Sequence, residues 1–191
     1  MQNHTRYGMP VNVSSTSNFD FYLSYYRYII IMKQLTHSTT SNFNMSNFSK
    51  KIYSYFDIAR KASLESDHDR FNIGAIVVYN GKIISTGFSS NKSHPLQMQL
   101  NEFRLFSPSC TFIHNHSIHA EVMAITNASK ILSENEFKNI KLFVYRTVKK
   151  TGLYGMCRPC KGCMELINRK KIKHIYYTTD VGYAYEQLIY N

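Results

Sequence analysis

Acidic residues are scarce in this chain: 12 Asp and Glu stand against 23 Lys and Arg over 191 residues, a formal net charge of +11. Such an excess favours anionic partners, namely nucleotides, nucleic acid or a membrane face, with plain solubility as the other reading. Long apolar runs are missing as well. The longest, from Phe19 to Met32, is broken by Asp20, Arg27 and several tyrosines. It falls short of the roughly 18–20 apolar residues that a spanning helix needs, so no membrane partner is expected. Residues 1–18 are polar and no small-residue cleavage site follows an apolar run, which speaks against a secretory signal. Cysteines number four, with Cys157, Cys160 and Cys163 crowded together and Cys110 far away. That pattern suits a metal or redox site in a reducing, intracellular (cytoplasmic) compartment better than a disulfide framework. No internal repeat is present, and the length suits one domain with a tail.

What is present is unevenly distributed. From Arg146 to Lys173 nine basic residues face Glu165 alone, a net +8 packed in sequence around the cysteines. Residues 1–48 are rich in Ser, Thr and Asn at Asn12–Asn18 and Ser38–Asn47, without helical or strand period, and read as a poorly ordered extension. Residues 21–35 within it could dock as a short helix or strand. A start at Met32 or Met45, with the upstream residues untranslated, is the alternative. The regular domain runs from 49 to 191. Ser49 caps a helix to about Ser66 that buries Ile52, Phe56, Ala59 and Ala62 or Ser63. Phe71–Tyr79 and Lys82–Phe88 are strands joined by Asn80-Gly81, a strong hairpin signal. A polar loop covers Ser89–Ser117, and a helix His119 to about Ser133. Then come strand Ile140–Val148, helix Cys160–Lys170 and strand Ile172–Thr178. The last strand–helix–strand unit requires a right-handed parallel crossover, so the sheet is mixed with helices on both faces. Tyr183–Tyr190 is a terminal helix or an antiparallel strand.

Two motifs carry chemistry, each at a helix opening: His119-Ala120-Glu121 and Pro159-Cys160-Lys161-Gly162-Cys163. Cys160 and Cys163 lie on one helix face and can pinch one ion. Two thiolates and one imidazole leave the fourth position of a tetrahedral zinc open to water, the layout of a catalytic site. Glu121, on the same turn as His119, is placed as the base. A closed knuckle of Cys157, Cys160, Cys163 and a histidine is the competing reading, but it leaves Glu121 idle and sends Cys157 around Pro159. Cys157 fits better as a small buried neighbour, and His114 and His116 as solvated or outer residues. His94-Pro95 reads as a turn, with an active-site wall as the alternative. Tyr176, Tyr177, Tyr183 and Tyr185 read as core and edge packing, although tyrosines can also stack a base.

The pairing of His-Ala-Glu with Pro-Cys-x-x-Cys resembles the zinc-dependent cytidine and deoxycytidylate deaminase superfamily. The resemblance covers about residues 49–178. It implies a three-layer α/β/α cytidine-deaminase-like fold with a mixed four- to five-stranded sheet. It implies one Zn2+ per chain on His119, Cys160 and Cys163, and Glu121 as the proton shuttle between water, ring nitrogen and leaving amine. The backbone donor of Ala120, Pro159, and either Ser89 or Asn91 are the implied substrate contacts. Family members often carry an Asn just after the Gly of the second strand; here Ser89 follows Gly87-Phe88, so sugar recognition departs from that pattern. The expected activity is hydrolytic deamination of a dCMP- or CMP-like nucleotide. The alternatives are deamination of single-stranded DNA or RNA along a stripe of Lys149, Lys150, Lys170, Lys171 and Lys173, or a non-catalytic zinc module that binds nucleic acid. Homo-oligomers fit any of these readings.

Overall fold

The structure is a computed structural model that describes residues 42–44, 48–104 and 117–190. The expectations for residues 1–41, including the docked stretch 21–35, and for Cys110, His114 and His116 lie outside the described residues.

Near-continuous apolar runs, buried on both faces, build the centre of the sheet. β2 (Phe71–Tyr79) and β3 (Lys82–Phe88) form the expected hairpin, with Asn80 at φ 49° and Gly81 at φ 76°. Two consecutive positive φ values are what a tight two-residue hairpin turn requires, and Asn and Gly tolerate them best. β6 (Lys141–Val148) pairs antiparallel with β2 and parallel with β7 (His174–Thr179), so the crossover is as expected. The open question at the C-terminus resolves as a strand: β8 (Gly182–Gln187) returns antiparallel to β7 after a turn at Asp180–Val181. These five strands are the mixed sheet. A sixth, β1 (Asn42–Asn44), pairs with β8, so three residues of the stretch read as poorly ordered are strand. The full order is β1-β8-β7-β6-β2-β3.

Helices cover both faces. α1 (Lys50–Ser63) packs Tyr55, Phe56 and Ala59 on Ile76, Val78, Phe143, Tyr145 and Tyr176. It ends at Ser63 rather than about Ser66, and Ser63 rather than Ala62 is the buried residue of its last turn. Tyr55, at helical spacing from Ile52 and Ala59, joins the buried face: its ring packs on Phe143 and its hydroxyl donates to the Gly81 carbonyl at 2.9 Å. The opposite face receives α3 (Ala120–Ala128) and α4 (Lys161–Arg169) against Ala75, Val77, Leu142, Val144 and Ile175. α3 stops at Ala128, short of Ser133. Ser133 instead opens a 3-10 turn over Glu134–Asn139 through a capping box with Glu136.

The larger correction concerns Ser89–Ser117. Its described part is not a plain loop but β4 (Ser90–Ser93), α2 (Pro95–Asn101) and a 3-10 turn over Glu102–Arg104. β4 pairs with the short β5 (Ser117–Ile118) outside the main sheet. His94-Pro95 is a helix start: His94 Nδ1 accepts from the Leu96 amide at 3.2 Å, and Pro95 takes a first-turn position where its missing donor costs little.

Candidate functional site

The helical openings meet at one point. His119 is the N-cap of α3 and Cys160 the N-cap of α4, so both stand where unsatisfied amides and the helix dipole favour negative charge. His119 Nδ1 lies 3.3 Å from Cys163 Sγ and 3.6 Å from Cys160 Sγ, and the ligand atoms of the three residues all fall within 4.8 Å of one another. Nitrogen and sulfur ligands at about 2.0 and 2.3 Å from a tetrahedral zinc stand about 3.5 Å apart, so the group has the right span for one ion. The donor chemistry agrees. Hydrogen bonding from Cys163 overcomes burial and, with His119, lowers the Cys160 thiol to about 3, making it a thiolate. That bond and burial in turn hold the Cys163 thiol well above its ordinary value. Cys157 is not part of this group: it is a buried wall residue whose thiol is raised by burial and by Glu121, and its amide donates to the Thr178 carbonyl at 2.9 Å.

Glu121 is 5% exposed and projects from the first turn of α3 into the same cavity. Burial raises its pKa, against the pull of His119. For His119 burial works the other way, but the Cys160 contact and Glu121 outweigh it and its pKa is raised. A buried carboxyl with raised pKa beside this ligand group is suited to accept and return a proton.

The cavity measures about 650 Å³ and is open on one side. Ser89 and Asn91 both line it; Ser89 is buried and its amide donates to the Ile73 carbonyl at 3.0 Å. Asn91 is held by Asp67, its amide donating to Oδ1 at 2.6 Å and its Nδ2 to the Asp67 carbonyl at 3.1 Å. Ala120 and Pro159 are buried, and neither forms part of the cavity wall among the described residues.

The basic belt does not stay together. Of the basic residues from Arg146 to Lys173, Arg146 and Arg158 reach the cavity. Lys149 donates to Ser66, and Lys170 pairs with Glu134 at the far end of α4. Nine residues of helix span about 14 Å, so residues adjacent in sequence to the cysteines end up remote from them. The expected stripe of Lys149, Lys150, Lys170, Lys171 and Lys173 is therefore not one surface at the cavity. Arg70 and Arg104, which spacing did not single out, line the wall instead.

Sequence reasoning also missed the residues that aim the ligands. Gln97 of α2 is fully buried; its Oε1 accepts the His119 amide at 3.0 Å while Nε2 donates to Asn101 at 3.0 Å. Gly162 lets α4 approach α2, since a Cβ there would stand 2.6 Å from the Leu100 carbonyl oxygen. Arg158 donates to the buried Glu186 at 2.6 and 2.9 Å, and Tyr177 donates to the same carboxylate at 2.5 Å. The start signal at His94-Pro95 was readable; nothing local marks Gln97 or Glu186.

Residues 49–179 match a family model described as the cytidine and deoxycytidylate deaminase zinc-binding region. No curated protein sequence matches the chain. Among solved structures, the chain is similar to the dCMP deaminase of cyanophage S-TIM5 in apo form, at 24% identity and TM-score 0.46, covering 68% of this chain and 84% of that one. It is similar to the guanine deaminase of Bacillus subtilis at 21% identity and TM-score 0.40, over 66% and 63% of the two chains. It is similar also to the cytidine deaminase of Burkholderia pseudomallei at 14% identity and TM-score 0.44, over 69% and 85%.

Proposed function

The chain belongs to the cytidine and deoxycytidylate deaminase family, and we propose that it is a zinc-dependent hydrolase converting a cytosine nucleotide of the dCMP or CMP type to its uracil form with release of ammonia. The observation that carries this reading is the convergence of His119, Cys160 and Cys163 on one point beside the buried Glu121 in an open cavity. His119, Cys160 and Cys163 would hold the zinc, which supplies the acidity that makes water a nucleophile at neutral pH. Glu121 accepts a proton from the attacking water and passes it to the ring nitrogen, then takes the second proton from the hydroxyl so added and delivers it to the departing amine. The amine leaves as ammonia and a carbonyl takes its place, so water is the sole co-reactant. The walls suit a nucleotide. Arg70 and Arg146 supply positive charge for a phosphate, and Arg146 is fixed by stacking 3.7 Å over the Phe71 ring and by donating to the Met156 carbonyl at 3.0 Å. Asn91, with its Nδ2 engaged, offers Oδ1 to a sugar hydroxyl.

The test measures bound zinc, then follows cytidine, CMP, dCMP, dCTP and short single-stranded DNA and RNA by mass spectrometry for the one-dalton gain of amine-to-carbonyl exchange. Conversion of a mononucleotide by wild type is expected, with loss on the order of 10²–10⁴-fold in Glu121→Gln at unchanged zinc content. Zinc-loaded protein that converts none of these substrates would sink the reading.

A further inference from the structure

Charge not used at the cavity gathers at the other end of the sheet. The registers bring the end of β2, the start of β3 at Lys82, the start of β6 at Lys141 and the start of β7, preceded by Lys173, to one edge. In the order β3-β2-β6-β7, Lys82 and Lys173 are separated by three strand spacings, about 14 Å, with Lys141 between them. α1 starts at this edge and adds Lys51; the 3-10 turn before β6 adds Lys138, and the turn after α4 adds Lys171. Among the described residues none of these six lysines has a carboxylate within ion-pair distance. The nearby acids are engaged elsewhere, Glu134 by Lys170 and Glu136 by Ser133.

This edge is also concave. A cleft of about 340 Å³ lies between α1 and the hairpin, walled by Lys51, Lys141, Asn80, Asn139, Ser49 and Tyr55 and by no acidic residue. The side-chain amides of Asn80 and Asn139 make no hydrogen bond to the described protein and are left for a ligand. His174, bonded through Nδ1 to Tyr185 at 2.8 Å, has its pKa lowered by burial and then by Lys141 and Lys173, which is what a locally positive potential does.

We propose that this lysine-bearing edge of the sheet, with the cleft of Lys51 and Lys141 in it, is a second anion site, remote from the deaminase cavity, that takes the phosphodiester backbone of a nucleic-acid strand. Its breadth argues for a chain of phosphates, because a row of lysines about 14 Å long exceeds one phosphate group. The amides match phosphate and sugar oxygens, which accept hydrogen bonds. No described aromatic ring lines the cleft except Tyr55, whose hydroxyl is already bonded to Gly81. Binding is therefore to the backbone and independent of base identity.

The test uses the full chain loaded with zinc and follows fluorescence anisotropy of labelled single-stranded oligothymidylate and an RNA of mixed sequence through a salt series. The double variants Lys51→Gln/Lys141→Gln and Lys138→Gln/Lys173→Gln, checked for folding by circular dichroism, carry the comparison. Removing one lysine that touches phosphate reduces the steepness of log affinity against log salt by about 0.7, so each double variant reduces it by about 1.4 where both lysines touch phosphate. Zinc content and any turnover of free nucleotide stay at wild-type values, because these lysines stand away from the cavity. Four results overturn the proposal: no oligonucleotide binding by wild type; unchanged slopes in both variants; loss confined to Arg70→Gln and Arg146→Gln; or binding to phosphatidylserine vesicles in place of oligonucleotides. Anisotropy needs no turnover, so failure of this site and failure of the deaminase reading are separate outcomes.

Discussion

On the face that carries the metal-ligand group, the sheet presents Ala75, Val77, Leu142, Val144 and Ile175, and α3 meets it with Ala120, Ala124 and Ala128. On the other face Phe143, Tyr145 and Tyr176 meet Tyr55 and Phe56 of α1. Small residues bring backbones together: a Cβ at Gly87 would stand 2.4 Å from the Ala120 carbonyl oxygen and from the Ala124 amide. Rings fill most of the other face and add edge and stacking contacts, and α1 comes equally close only at Gly74, where a Cβ would stand 2.4 Å from the Ser63 amide. Both buried carboxylates, Glu121 and Glu186, stand with the aliphatic face, where Ala184, two residues from Glu186, also packs. The contrast assigns placement of the ligands to the aliphatic layer, which also holds the larger share of the buried core, and leaves the aromatic layer to packing alone.

The sharpest way to break that division is Phe143→Ala. Phe143 is fully buried, stacked on Tyr176 with centroids 4.4 Å apart and edge-on to Phe56 at 5.3 Å. Truncation costs about 3–5 kcal/mol of stability, read from urea midpoints, while zinc per folded chain holds. Loss of zinc from folded Phe143→Ala would show that both faces place the ligands. Gly162→Ala is the counterpart on the metal side. The added methyl meets the Leu100 carbonyl, pushes α2 from α4, and moves the Gln97 oxygen that accepts the His119 amide. Stability falls by about 1–3 kcal/mol. Zinc affinity, measured against a chromogenic chelator, falls roughly 10-fold or more, as for other residues that orient ligands. Stability loss with full zinc affinity would assign Gly162 to packing alone.

The residues that were legible in sequence are those whose information is local. Asn80-Gly81 fixes a turn by its own dihedrals, Cys160 and Cys163 share a face because of helical spacing, and β7 had to run parallel to β6 because a helix intervenes. α2 was missed because seven residues are too few to display a period, and because Gln97 is a polar side chain buried by tertiary bonds to His119 and Asn101. The basic belt misled for the opposite reason. Proximity along the chain was read as proximity in space, and α4 carried Lys170, Lys171 and Lys173 to the far end of the sheet. Glu186 had no local mark at all, since its partners Arg158 and Tyr177 are brought to it by β7, β8 and the loop before α4.

Glu186 also yields the smallest effect by which the comparison can be sharpened. Although burial pushes its pKa up, the Arg158 guanidinium and the Tyr177 hydroxyl outweigh that and hold it below the ordinary carboxylate value. A pKa lower in the folded than in the unfolded chain gives stability that is fully present above the unfolded value, about 4.3. It is lost as pH falls through the folded one. Glu186→Gln is therefore less stable than wild type at pH 7, and the gap between their urea midpoints narrows as pH is lowered toward 3. Arg158 is 46% exposed, so solvent screens the pair and the gap is modest. Arg158 stands two residues before Cys160, so the variant also frees the loop that presents this ligand, and zinc affinity falls with the gap. A gap that stays constant down to pH 3 would mean that folding does not shift the Glu186 pKa, so that Arg158 and Tyr177 do not favour its charged form.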